Sequence, residues 1–170
     1  MTPIPSTYEI LVSKVLNRPI GKQWTDWATQ MLQAGYDKEN LIILAGESEP
    51  YNQFYLRELT TKVLNELGID FSDKEKAVKN YTCYLLKGFL NGTQDFRKTL
   101  TILKDLCIET DYERHLYKFY LFWFAKDDFD YFGDSQYHLD ESVTKYSIDE
   151  FIIEYSKQWL VDNCFEATTA

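Results

Sequence analysis

The sequence predicts an all-α protein of about eight helices in antiparallel hairpins, forming an irregular bundle or short superhelix, and three observations carry that expectation. Apolar residues return at three- and four-residue intervals in one segment after another. Glycine and proline are scarce, at 7 and 4 of 170 residues, and mostly stand between those segments. Strand-like alternation of apolar and polar residues is convincing nowhere.

The helix starts are marked by a Ser or Thr with a Glu three residues on, the spacing at which each side chain reaches the other's free backbone N–H. This box occurs at Ser6…Glu9, Ser72…Glu75, Thr110…Glu113 and Ser147…Glu150. After Ser6, Ile10, Leu11 and Val15 predict a short helix ending before Pro19. Trp24, Trp27, Ala28, Met31 and Leu32 form the stripe of a second helix, with Gly35 placed for a left-handed cap. Asp37 opens a third, carrying Leu41 and Leu44 and closed by Gly46. Leu56, Leu59, Val63, Leu64 and Leu67 define a fourth, stopping at Gly68. Behind Ser72, Ala77, Val78, Tyr81, Tyr84, Leu85 and Phe89 give a fifth that ends at Asn91-Gly92. Phe96, Leu100, Leu103 and Leu106 give a sixth.

Leu116 to Ala125 contains a single polar residue, Lys118. A helix apolar all round is surrounded by others, so this seventh helix, started by Thr110, is expected at the centre of the packing. Residues 127–146 are rich in Asp, Tyr and Gly and lack a period, which reads as a loop. The eighth helix follows Ser147 with Ile148, Phe151, Ile152, Tyr155 and Trp159, and the tail at 165–170 is expected to fray. The whole, residues 1–170, fits the size of one domain.

Composition narrows the class. With 45% apolar and 26% charged residues the chain is that of a globular protein, not a disordered or fibrous one. Cys83, Cys107 and Cys164 are three, widely spaced, and form no CxxC pair, so they read as free thiols in a reducing compartment. Met1-Thr2-Pro3-Ile4-Pro5 has neither a basic flank nor an apolar run, and no stretch approaches the ~20 uncharged residues that span a bilayer. The expectation is a cytoplasmic protein without membrane attachment.

The net charge of -9 is concentrated. Residues 109–154 hold 12 acidic and 4 basic side chains; everything else holds 15 and 14. Such a field repels phosphate backbones, so nucleic acid is not the expected ligand, and it steers a basic protein partner. A merely solvated acidic face is the simpler reading of the same numbers.

Candidate sites are few. Asp127-Asp128-Phe129-Asp130-Tyr131-Phe132-Gly133-Asp134 has the oxygen-rich, glycine-turned look of a calcium loop. Aligned on Asp128, however, it puts Phe132 at the fifth position and Leu139 where a bidentate Glu belongs, which excludes an EF-hand. An irregular metal centre of Asp128, Asp130, Asp134 and His138, in a metal-dependent enzyme, is the alternative reading of this segment. His115 and His138 are the only imidazoles and lie near no nucleophile motif. Glycine-rich phosphate loops are missing, so no cofactor is expected. Tyr112, Tyr117, Tyr120, Tyr131 and Tyr137 cluster around the acidic segment, and tyrosine beside carboxylates composes a surface suited to a basic partner. The leading expectation is therefore a non-catalytic interaction module presenting Asp127, Asp128, Asp130, Tyr131, Asp134 and Tyr137 to a basic protein. Nothing in the sequence specifies an oligomeric state.

Trp27-Ala28-Thr29-Gln30-Met31-Leu32-Gln33-Ala34-Gly35-Tyr36-Asp37, followed by Leu41 to Gly46, resembles a WAxxxLxxGxDxxxLxxLAG pattern of small bacterial all-helical proteins. In these a helix ending in Leu-Gly follows, as Leu67-Gly68 does here. The resemblance covers about 45 residues at helix-stripe and cap positions, so it implies a helical fold and no catalytic residue. Small acidic proteins of this kind are similar in class to immunity proteins that neutralise toxins, an analogy of class alone.

Overall fold

The computed structural model describes residues 4–164, and among them the chain forms eight α-helices and no strand. These are α1 (Thr7–Val15), α2 (Lys22–Gln33), α3 (Glu39–Ala45), α4 (Gln53–Glu66), α5 (Lys74–Leu90), α6 (Phe96–Glu109), α7 (Tyr117–Phe132) and α8 (Ile148–Asn163). The fold is all-α. The tail expected to fray, 165–170, lies outside the described residues. The chain separates into two compact units, 1–81 and 82–170, with the division falling inside α5.

In the first unit α2 packs on α1 and α3, and α3 on α4. The stripe read from the sequence does this: Trp24, Trp27, Ala28 and Met31 are buried together with Leu41 and Leu44 of α3 and Leu56, Val63 and Leu64 of α4. Each buried indole N–H needs an acceptor. Trp27 Nε1 donates to Thr7 Oγ1 at 3.0 Å and Trp24 Nε1 to Ser13 Oγ at 3.4 Å, both on α1. Gly35, at φ +88°, ends α2 where the Tyr36 amide turns back to the Met31 carbonyl. Lys14 reaches α4 and spends its three donors on the Arg57 carbonyl and the Thr60 and Thr61 hydroxyls, at 2.8–3.0 Å. Burial, with Arg57 close by, lowers its pKa from the usual 10.5.

The second unit is built around α7, which packs on both α6 and α8. Its inner stripe is Phe119, Phe122, Ala125 and Phe129, all buried. Phe119 meets the rings of Tyr155 and Trp159 of α8 edge-on, at 5.2 and 6.2 Å, while Leu100, Leu103 and Leu106 bury the facing side of α6. Trp159 Nε1 donates to the His115 carbonyl at 2.8 Å, which fastens α8 to the segment before α7.

Four expectations are corrected. The capping boxes do not form: Ser6 and Ser147 do stand at helix starts, but neither side chain caps. Ser6 Oγ instead donates to Gln30, and α5 is capped by Asp73, whose carboxylate accepts from the Lys76 amide at 2.9 Å, not by Ser72. Thr110 starts nothing, because its hydroxyl donates back to the Leu106 carbonyl at the end of α6 and α7 begins at Tyr117. Asp37 does not cap α3 either; Lys38 holds that position without a side-chain bond.

The loop expected at 127–146 is the second correction. Asp127 to Phe132 continue α7, and the chain leaves the helix at Gly133, at φ +78°. Burying Phe129, one turn beyond Ala125, drives this: the apolar stripe holds the acidic residues between its members in helical register. Third, α7 is not enclosed on all sides. Tyr117 and Tyr131 are exposed, and Tyr120 and Phe124 only half-buried, on the side away from the inner stripe.

Fourth, the cysteines are not all free. Cys83 of α5 and Cys164 at the end of α8 form a disulfide, closing a separation of 81 residues, and only Cys107 is a thiol, buried. A cross-link over so long a loop stabilises chiefly by restricting the unfolded chain, by roughly 2–4 kcal/mol. A thiol count should therefore find no accessible thiol in the native protein, one after denaturation and three after denaturation with reductant. Replacing Cys83 and Cys164 together by Ser should lower the unfolding free energy by that amount. Three thiols in the unreduced denatured chain would refute the pairing.

Candidate functional site

The outer side of α7 is a line of rings. Residues 117, 120, 124, 128 and 131 follow at intervals of three and four, so they share one face of the helix. Tyr117 stacks on Tyr120 with centroids 5.7 Å apart, Tyr120 leans on Phe124 at 4.8 Å, and Phe124 meets the His138 ring at 5.3 Å. Tyr112 joins from the preceding segment, 5.4 Å from Tyr120, with Asp111 and Tyr112 both at positive φ. Desolvation, with Tyr112 beside it, raises the Tyr120 pKa from its usual value.

At the C-terminal end of α7 and in the segment after it three rings are largely exposed. Tyr131, Phe132 and Tyr137 are 83%, 60% and 78% exposed, yet touch one another, with centroids 6.0 Å apart for Tyr131–Phe132 and 6.2 Å for Phe132–Tyr137. Phe132 thus links Tyr131 and Tyr137 in a chain of rings that the described residues leave largely exposed, a composition that suits an interaction surface. The five tyrosines named from the sequence thus divide into a group of three at the start of α7 and Tyr131 with Tyr137 at its end, about 16 Å further along the axis at 1.5 Å per residue. Phe124 and Phe132 were missed: phenylalanine on a helix reads as core.

The acidic side chains do not act as one field. Arg97 of α6 pairs with Asp130, Lys126 with Asp149, and Lys145 with Asp134, the last at 2.5 Å. The carboxylates of these pairs are largely exposed, while Lys126 is mostly covered, and exposed pairs contribute little to stability. Asp128 is turned inward, with a side chain only 15% exposed. Its carboxylate accepts from the Tyr137 amide at 3.1 Å and lies 3.4 Å from His138 Nε2. Asp128 is therefore a clasp that holds the 133–147 segment against α7, not a ligand-facing group. Gln136 completes the turn, its Oε1 accepting from the His138 and Leu139 amides at 2.8 and 2.7 Å.

Among the described residues, the groups weighed for metal or nucleophile chemistry are not brought together as a site. Asp128 and His138 meet, but Asp130 and Asp134 are held by Arg97 and Lys145, and among the described residues no three His, Cys, Asp or Glu side chains gather as metal ligands do. His115 lies 3.8 Å from Glu113, and its carbonyl serves Trp159. Cys107 is buried, and desolvation, aided by Glu113, pushes its thiol up to about 11. At neutral pH it is a protonated, packed side chain and not a nucleophile.

No protein-family model matches this chain, and no curated protein or solved structure matches it either. The surface on α7 stands on its own chemistry.

Two outcomes follow. Asp128→Ala should release the Tyr137 amide, seen as faster hydrogen exchange across 133–147 at a cost of about 1–3 kcal/mol, with α2 to α4 unchanged; unaltered exchange would mean the clasp is not what orders the segment. The second concerns alkaline pH. Burial raises the Tyr155 pKa from 10.0, and Cys107 is raised from 9.0 to about 11, so both groups lose their protons later folded than unfolded. The Cys107 contribution is complete below pH 9.0 and is lost as pH rises toward about 11, and that of Tyr155 is lost above pH 10.0. Denaturant titrations of Cys107→Ala should show a shallower decline over that interval, by about 2 kcal/mol at its top.

Proposed function

We propose that the protein is a non-catalytic interaction module whose contact surface is the outer face of α7 and its exposed end, engaging a basic protein partner. The observation that carries this reading is the water-exposed ring contacts of Phe132 with Tyr131, at the end of a helix whose opposite face is core, and with Tyr137 of the segment that follows. Tyrosine and phenylalanine supply large contact area with few torsions to freeze, and aromatic anchors dominate binding energy where they are found. The surrounding carboxylates, six acidic against two basic residues over 126–146, contribute steering and partner choice more than affinity.

A toxin-neutralising role of the immunity kind is a setting that suits a small acidic helical binder; it rests on class and on the sign of the charge. Among the described residues no helix is long and apolar enough to cross a membrane. The cytoplasmic location expected from the sequence rested on free thiols as well as on the composition of residues 1–5, and the Cys83–Cys164 bond removes the first of these grounds and fits an oxidising compartment.

Affinity purification at low salt, followed by titration of the recovered complex, tests the module. Tyr131→Ala combined with Tyr137→Ala should weaken binding at least about tenfold, as the loss of one central aromatic anchor does. Reversing Asp127, Asp130 and Asp134 to Lys should instead slow association and flatten its salt dependence. A complex indifferent to both sets of changes would end the reading.

A further inference from the structure

A second recess lies in the same unit, away from the outer stripe of α7. It is an open cleft of about 500 Å³ between α7, the 139–143 segment and α8. Its size falls within the range of sites that take small ligands or a few residues of peptide. The apolar walls are Phe122, Val143 and Phe151, and Asp140 and Glu154 bring two carboxylates to it.

The cleft's own residues show which charge it favours. Lys118, the one cation in the lining, lays its ammonium over the Phe122 ring at 5.5 Å. An alkylammonium from this chain thus already lies at the wall of the cleft with its head on an aromatic face, the contact a second cation would seek. Asp140 accepts from the Ser142 amide at 2.9 Å, and the Ser142 hydroxyl and amide, with Lys118 nearby, hold its carboxyl below the usual range. Glu154 is bound only to Lys157 three residues on, at 2.6 Å, in a pair exposed on both sides and readily exchanged. Tyr155 and Gln158 add hydrogen-bonding groups along α8.

We propose that this cleft is a binding site for an alkyl-guanidinium or alkyl-ammonium group, its stem against Phe122 and Phe151 and its head between Asp140 and Glu154. Two sources carry that chemistry, an Arg or Lys side chain of a protein and a free small amine. The site uses none of the Tyr131–Tyr137 surface and stands whether or not that surface is an interface.

The full chain, isotope-labelled and with its disulfide intact, is titrated by NMR with four probes. These are N-acetyl-arginine methylamide, agmatine, N-acetyl-glutamate methylamide and N-acetyl-norleucine methylamide. Both guanidinium probes should shift the amides of Ser142, Val143, Glu154 and Tyr155 saturably. A stronger response to the capped arginine assigns the site to a protein side chain, and an equal or stronger one to agmatine assigns it to a free amine. Asp140→Asn and Glu154→Gln should each weaken binding about fivefold. Lys118→Met should strengthen it, because the competing ammonium is gone, whereas a site built for anions would lose affinity with that change. Equal binding of the norleucine probe, preference for the glutamate probe, or arginine-induced shifts confined to Tyr131, Phe132 and Tyr137 would overturn the assignment. In that last outcome the interaction surface on α7 would survive.

Discussion

The burial of Phe129 is the constraint on which the second unit's surface depends. It lies seven residues after Phe122 and four after Ala125, the repeat that keeps one side of a helix on the core. Once its ring is inside, the residues around it have no freedom of direction: Asp128 must face the returning segment, Asp130 must reach α6, and Tyr131 must stand in water. The clasp of Asp128 on Tyr137 and His138, the Arg97–Asp130 pair and the exposed ring cluster are consequences of one side chain's packing. The exit at Gly133 then fixes where the rings of Tyr131, Phe132 and Tyr137 can meet.

Charge acts in this surface more weakly than the count of carboxylates suggests. A segment with 12 acidic and 4 basic side chains looks like a single negative field, but Lys126, Lys145 and Arg97 each take one carboxylate at close range. What remains is a diffuse negative potential, strong enough to bias the approach of a basic molecule and screened beyond about 8 Å at physiological salt. The aromatic rings feel no such screening. Area shielded from water on association would scale with the rings, so in the proposed module selection among partners would fall to shape and ring contact.

Much of the fold could be read from the residues, and the failures have separate physical causes. Helix positions followed from apolar spacing and from Gly35, Gly46 and Gly68, because burial of a stripe is a sum over many residues and tolerates local error. Caps did not: Ser6, Ser72 and Thr110 each had a second acceptor or donor within reach, Gln30, Asp70 and the Leu106 carbonyl, and the competition between such bonds is not encoded in spacing. Residues 127–132 were misjudged because Asp and Tyr masked the single apolar residue that matters, Phe129. The Cys83–Cys164 bond was invisible, since pairing depends on where α5 and the end of α8 meet and not on the 81-residue interval. At the candidate surface, the exposure of Tyr131 and Tyr137 was legible, while the inward turn of Asp128 was not.

The apolar run in α7 shows why composition misleads in this way. Leu116 to Ala125 has the same residues whether a helix is surrounded or carries two apolar faces of different purpose. Phe119 and Phe122 are inside because α6 and α8 supply partners, whereas on the outer side Tyr117 is exposed and Tyr120 and Phe124 are only half-buried, beside Tyr112 and His138. The hydroxyls on that side are the distinguishing mark: a phenol can stay hydrated while its ring waits for a partner, and phenylalanine appears there only where neighbouring rings and His138 shelter it. The disulfide bears on the same helix from the opposite direction. By joining the end of α8 to α5 it holds the wall against which Phe119 packs, through Tyr155 and Trp159. The proposed contact face would gain from that rigidity, because the less its backing moves, the less order is lost on contact.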